Sequence, residues 1–193
     1  MEGNQRHGDQ AGRCLSLAER RERFAAAREA LQGLAEVTWQ CPSGGGPDGL
    51  AGLMEEVDAL GMACDLGRVS VLRDALSRGE TPGGSAAMTP TQWVRAHAPS
   101  TKAGGAAAIV NVATAFGKAV NQPVKEAVES GRLPVRSAAT VVSEFEKLSP
   151  LLGDLMQEPA LTTLVDIAAD DGPNACRKVR PFILARYGLE DAL

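Results

Sequence analysis

The sequence predicts an all-α protein: a compact multi-helix domain of seven to nine helices, with a helix-turn-helix-like pair at about 90–116. Three observations predict it. Among 193 residues there are 31 Ala but only 7 aromatics (Phe 4, Trp 2, Tyr 1), so the core must be built from Ala, Leu and Val, which favours close helix packing over a sheet. No stretch alternates apolar and polar residues for long enough to demand a strand. Helix-starting residues (Ser, Thr, Asn, Pro) and helix-stopping Gly punctuate the chain at short intervals.

The elements follow in order. Residues 1–13 are polar and without periodicity, and read as a disordered tail. Residues 14–47 read as an amphipathic helix and a Gly/Pro linker. Ser16 and Glu19 have capping-box spacing, and Phe24, Ala27, Leu31 and Leu34 share a face of a helix that ends near Ala35. Pro42 to Gly49 is a break in which Asp48 can cap the next helix. Residues 48–193 read as a helical domain. Leu53, Val57, Leu60, Cys64, Val71 and Ala75 recur at helical spacing as far as Ser77, and Gly79 to Ala87 forms a second loop.

Thr89-Pro90-Thr91-Gln92 combines an N-cap, a first-turn proline and a capping-box Gln, and starts a short helix with Trp93, Val94 and His97 that stops before Pro99. Ser100 or Thr101 caps the next helix, which runs through Ala106, Val110, Ala113 and Phe116 and makes the helix-turn-helix outline. Asn121-Gln122-Pro123 opens another helix that stops at Gly131. Pro134 opens one with Val135, Ala138, Val142, Phe145 and Leu148 on a heptad-like face. Two shorter pieces, 151–156 and 160–169, follow Pro150 and Pro159. Asn174 caps a final helix, 175–186, that ends at Gly188.

Function is narrowed first by exclusion. The four cysteines (Cys14, Cys41, Cys64, Cys176) are too far apart for a metal knuckle or redox pair and predict a reduced, cytoplasmic chain. The N-terminus lacks the apolar core of a signal peptide. The longest near-apolar run, Gly104 to Phe116, is short of the roughly 20 residues that span a bilayer, so no membrane partner is expected. Gly44 to Gly49 satisfies G-x-G-x-x-G literally, but no β-α-β context surrounds it, and it reads as a linker. His7 lies in the tail. Only His97 remains, too few for a His-based nuclease or zinc hydrolase centre, and it reads as a favourable charge at a helix C-terminus. Glu55-Glu56, Glu144/Glu146 and Asp170-Asp171 read as solvated faces or caps rather than acid-base pairs. No catalytic residues, metal, cofactor or small-molecule substrate are expected.

The net charge of −4 excludes a uniformly basic coat, yet charge is segregated: residues 92–150 carry 7 basic and 4 acidic side chains, and 176–193 carry 4 and 2. The candidate nucleic-acid contacts are therefore Arg95, Lys102, Asn111, Lys118, Arg132, Arg136, Arg177, Lys178, Arg180 and Arg186. Against a base-reading helix stands Lys102-Ala103-Gly104-Gly105-Ala106-Ala107-Ala108, too small to reach base edges, which predicts a buried central helix. Trp93 has no aromatic neighbour and reads as a core anchor.

The order of features resembles a known family. A long helix ends in Ser77-Arg78-Gly79-Glu80; Trp93-Val94, Ser100 and an Ala-rich helix follow; then come Val124 to Leu133 (VKEAVESGRL) and an Ala/Val helix. This pattern, over about two-thirds of the chain, resembles the actinobacterial domain of unknown function 222, which commonly precedes an HNH endonuclease module. The resemblance implies an all-helical accessory module serving a mobile-element or phage-related nuclease, with no established activity of its own. The HNH part is absent, and the 102–108 segment, often arginine-rich in relatives, is Ala/Gly in this chain. The expected function is a non-catalytic accessory domain that binds DNA or positions a nuclease module. The alternative is a protein-interaction or self-association module using the amphipathic helix at 16–35.

Overall fold

The computed structural model describes residues 15–37, 49–80 and 88–188, and among them it is helical, with nine α-helices and no strand. The chain divides into two compact units, Met1–Met54 and Glu55–Leu193. The expected 42–49 and 79–87 loops lie almost wholly outside the described residues, as do the 1–13 tail, Cys14, Cys41 and the Asp48 cap.

The first unit holds α1 (Leu17–Val37) and the opening of α2 (Leu50–Ser77). The predicted capping box starts α1: the Glu19 amide donates to Ser16 Oγ at 3.2 Å and the Ser16 amide donates to Glu19 Oε2 at 2.8 Å. Leu17 and Phe24 on this helix are exposed.

In the second unit the rest of α2 continues through Gly61 and Gly67 without a break, and its last turns bury Val69, Leu72 and Ala75. Next come α3 (Pro90–His97), a 3-10 turn at Pro99–Thr101, α4 (Lys102–Ala115), α5 (Gln122–Glu129) and α6 (Val135–Leu148). The Thr89/Gln92 capping box forms as its sequence demands, with both reciprocal bonds present. Thr101 occupies the N-cap position of α4 but makes no side-chain capping bond; its hydroxyl instead donates to the Ala98 carbonyl at 2.8 Å. Gly131 stops the chain after α5 with φ +75°, a conformation that costs a side-chain-bearing residue about 1–2 kcal/mol.

Two expectations fail at prolines. The pieces at 151–156 and 160–169 are one helix, α7 (Asp154–Asp170), with Pro159 inside it. Pro159 is exposed, where water can take the carbonyl it leaves unbonded, while Ala160, Leu161, Leu164, Val165 and Ala168 hold the helix in the core. The single helix expected at 175–186 is two, α8 (Pro173–Lys178) and α9 (Arg180–Tyr187), because Pro181 has no amide to continue the ladder and opens a new helix after Val179. Gly172 is the N-cap of α8, with φ +82°, so Asn174 lies inside the helix rather than capping it.

The core is aliphatic, as the composition requires. Leu72, Leu133, Leu148, Leu161 and Leu164 are its largest fully buried side chains, and among the described residues Phe116 and Phe145 are the buried aromatics. Trp93 packs partly buried against this core and lies 4.7 Å, centroid to centroid, from the His97 ring. The core is centred on α6, which packs on α4, α7 and α8. No single helix among the described residues is long and apolar enough to cross a membrane.

Candidate functional site

Two helices of the second unit carry a second stripe beside their core-facing one. On α6 the core takes Val135, Ala138, Val141, Val142, Phe145 and Leu148, while Arg136, Ala139, Thr140, Ser143, Glu144 and Lys147 recur at 3.6-residue spacing on another face. On α4 the core takes Ala106, Ile109, Val112, Ala113 and Ala115, and the other face presents Lys102, Gly104, Gly105, Ala107, Ala108 and Asn111. The two faces meet in an open groove of about 800 Å³, closed on one side by Arg177 and Arg180 at the turn between α8 and α9.

The groove is chemically lopsided. Five cations, Lys102, Arg136, Lys147, Arg177 and Arg180, line it, against one carboxylate, Glu144. The surface between them is Gly, Ala, Ser and Thr with Asn111, so the long cationic side chains stand around a low bed of small residues. At the head of the groove Lys102 has φ +52°, an unusual conformation for a residue with a side chain, and no side chain caps the first amides of α4. The positive end of the helix dipole thus adds to the field of the cations.

Glu144 is the residue that sequence reasoning misjudged. It is not on a solvated face: the residue is 3% exposed, and Lys147 Nζ donates to its Oε1 at 2.7 Å while Arg180 Nη2 donates to its Oε2 at 2.5 Å. Burial alone pushes its carboxyl up, but the hydrogen bonds and charges of Lys147 and Arg180 outweigh that and hold it below the usual carboxylate range. Glu146, two residues further on, is exposed and pairs with Lys118 at 3.1 Å. Arg180 Nε is buried and has no hydrogen-bond partner among the described residues. No group of three or more His, Cys, Asp or Glu that could hold a metal occurs among the described residues.

No family model, curated protein or solved structure matches the chain.

Of the ten residues singled out as nucleic-acid contacts, the structure brings Lys102, Asn111, Arg136, Arg177 and Arg180 together in the groove. The other five do not line it. Lys118 is held by Glu146, and Arg132 by Asp166 at 2.8 Å. Arg95 and Lys178 are exposed elsewhere, and the Arg186 guanidinium lies 5.3 Å from the centre of the Tyr187 ring. Lys147, Thr140, Ser143 and Glu144 line the groove and were missed. Their signal was present in the 136/139/140/143/144/147 spacing, a polar stripe running beside the apolar one. The α4 segment 102–108 is central, as expected, but on one face only: Ala106 is buried, while Gly104 and Ala107 are exposed to the groove.

Proposed function

We propose that this protein is a non-catalytic helical module that binds nucleic acid through phosphate contacts in the α4/α6 groove. One observation carries the reading: five cations from three separate parts of the second unit converge on one concave surface whose only carboxylate is already paired. Such a surface attracts a polyanion and fixes its backbone, and the short side chains between the cations offer little reach with which to read bases. The reading rests on the groove rather than on the family resemblance. Placing DNA for a separate nuclease module, the role that resemblance implies, is what a phosphate-binding accessory of this kind would do.

The test is an anisotropy titration of a labelled oligonucleotide at about 50 mM salt, where phosphate contacts dominate affinity. Binding is expected, with the Arg136→Ala/Arg177→Ala double variant losing most of it. Arg132→Ala, which removes a cation paired with Asp166 outside the groove, serves as the control and should bind as wild type. Absence of binding by the intact protein refutes the proposal.

A second reading, self-association, is favoured by α2. Its first half buries nothing, and Leu50, Met54, Val57 and Leu60 are 38–68% exposed at helical spacing. Light scattering above the 20.1 kDa of one chain, reversed by Met54→Lys/Val57→Lys, would support it.

A further inference from the structure

The groove differs from a duplex reader in the direction of insertion. A recognition helix protrudes, and its long polar side chains enter a major groove about 12 Å wide. On α4 everything between Lys102 and Asn111 is Gly, Ala, Ile or Val, so that helix has nothing with which to reach a base edge. The long side chains belong to its surroundings, Arg136 and Lys147 on α6 and Arg177 and Arg180 at the α8/α9 turn, and they stand around the low bed. Nucleic acid must enter the protein, not the reverse.

A second cavity adjoins the groove. It is smaller, about 210 Å³, shares Thr101, Gly105, Ala108 and Arg136 with the groove and continues to Arg68, which is paired with Asp65. Gly105 sits where the two join: a Cβ there would lie 3.2 Å from the Thr101 Cβ and 3.8 Å from the Arg136 guanidinium. A larger residue there would press on Thr101 and Arg136, which line both cavities. Among the described residues no aromatic side chain lines either cavity, so they offer bases no stacking platform and the contacts they supply are to phosphate and sugar.

Resting on the nucleic-acid reading above, we propose that the ligand is a single strand laid along this groove with its backbone against the cations, bound without sequence preference, and that a duplex is a poor ligand. A duplex is convex and presents its phosphates on a wide cylinder, so it meets only the rim of the groove. A single strand is thin and flexible enough to lie on the Gly/Ala bed, where Asn111, Thr140 and Ser143 offer neutral hydrogen bonds between the cations. Three cations, Lys102, Arg136 and Arg177, are not engaged by Glu144. At a slope of roughly −0.7 per phosphate for single strands, three contacts give about −2, so a rise from about 50 to about 200 mM salt weakens binding by roughly twentyfold.

The experiment uses the full chain, a labelled oligothymidine and a labelled duplex of equal length, titrated at several salt concentrations. The expected result is tighter binding of the single strand, a salt slope near −2, and equal affinity for a mixed-sequence strand. Two variants probe the groove. Ala107→Leu, on an exposed helical position, fills the bed while leaving every charge in place, and should weaken the single strand at least as much as Arg177→Glu does. Circular dichroism confirms that each variant is folded, and if Ala107→Leu is not, Arg177→Glu with the strand-versus-duplex comparison decides. Duplex binding equal to or tighter than single strand, or a folded Ala107→Leu that binds as wild type, overturns the single-strand inference and leaves the nucleic-acid reading standing. Failure to bind either form overturns both.

Discussion

Glu144→Gln separates the structural from the functional role of the groove's only carboxylate. The substitution keeps the volume of a residue that is 3% exposed and removes its charge. Two charge-assisted hydrogen bonds weaken, from Lys147 at 2.7 Å and Arg180 at 2.5 Å. Bonds of this type are worth about 1.5–3 kcal/mol each when both partners are buried, but the donor side chains are 52% and 42% exposed and can return to water. The expected loss of stability at neutral pH is therefore about 1–3 kcal/mol in total, well below the cost of stranding a buried charge. Because the folded-state carboxyl titrates below its unfolded value, the wild-type advantage is fully present above the unfolded value and disappears as pH falls through the depressed one. Urea unfolding followed by circular dichroism at neutral pH and at successively more acid pH should show the gap between the two proteins closing. The same variant releases Lys147 and Arg180 to the groove, raising the number of available cations from three to five and steepening the single-strand salt slope from about −2 to about −3.5. An equal stability at neutral pH, or a gap that persists unchanged in acid, would refute the assignment of Glu144 as a clamped buried carboxylate.

Two further outcomes test the fold around the site. Gly131→Ala, at φ +75°, should lower stability by about 1–2 kcal/mol, read as a fall in the unfolding midpoint, with no change in nucleic-acid affinity because Gly131 lies outside the groove. Alkylation with iodoacetamide at neutral pH should label exposed Cys64 and spare Cys176 until the protein is denatured. Burial pushes the Cys176 thiol up, the nearby Glu144 charge adds to this, and its Sγ is 3.4 Å from the Leu164 carbonyl it donates to. Peptide mass spectrometry distinguishes the two sites, and rapid labelling of Cys176 in the folded protein would contradict the packing of α8 on α7.

The helices were legible because their signals are local. The Ser16/Glu19 and Thr89/Gln92 capping boxes, the stop at Gly131 and the apolar stripe from Val135 to Leu148 each depend on residues within a turn or two of one another. What the sequence did not disclose depends on docking. Pro159 and Pro181 are the same residue type, yet one sits inside a helix anchored by a long apolar stripe and the other divides two short helices. Arg177 and Lys178 are adjacent and indistinguishable by composition, but the way α8 seats Cys176 against α7 sends only Arg177 to the groove. Glu144 looked solvated because a carboxylate beside another carboxylate usually is. Its burial is paid for by Arg180, a partner 36 residues away.

The order in which the helices touch bears on how the protein assembles. In the second unit α3 packs on α4, α4 on α6, α5 on α6 and α7, α6 on α7 and α8, and α8 on α9, so contacting partners are mostly neighbours or next-neighbours along the chain. Such local topology carries little loop-closure cost and places the domain among fast folders. Arg177 and Arg180 belong to the last helices in this sequence of contacts, so a chain emerging from the ribosome can build most of its core before it owns a complete cationic groove. The five-cation lining is complete only once α8 and α9 have docked on α6 and α7.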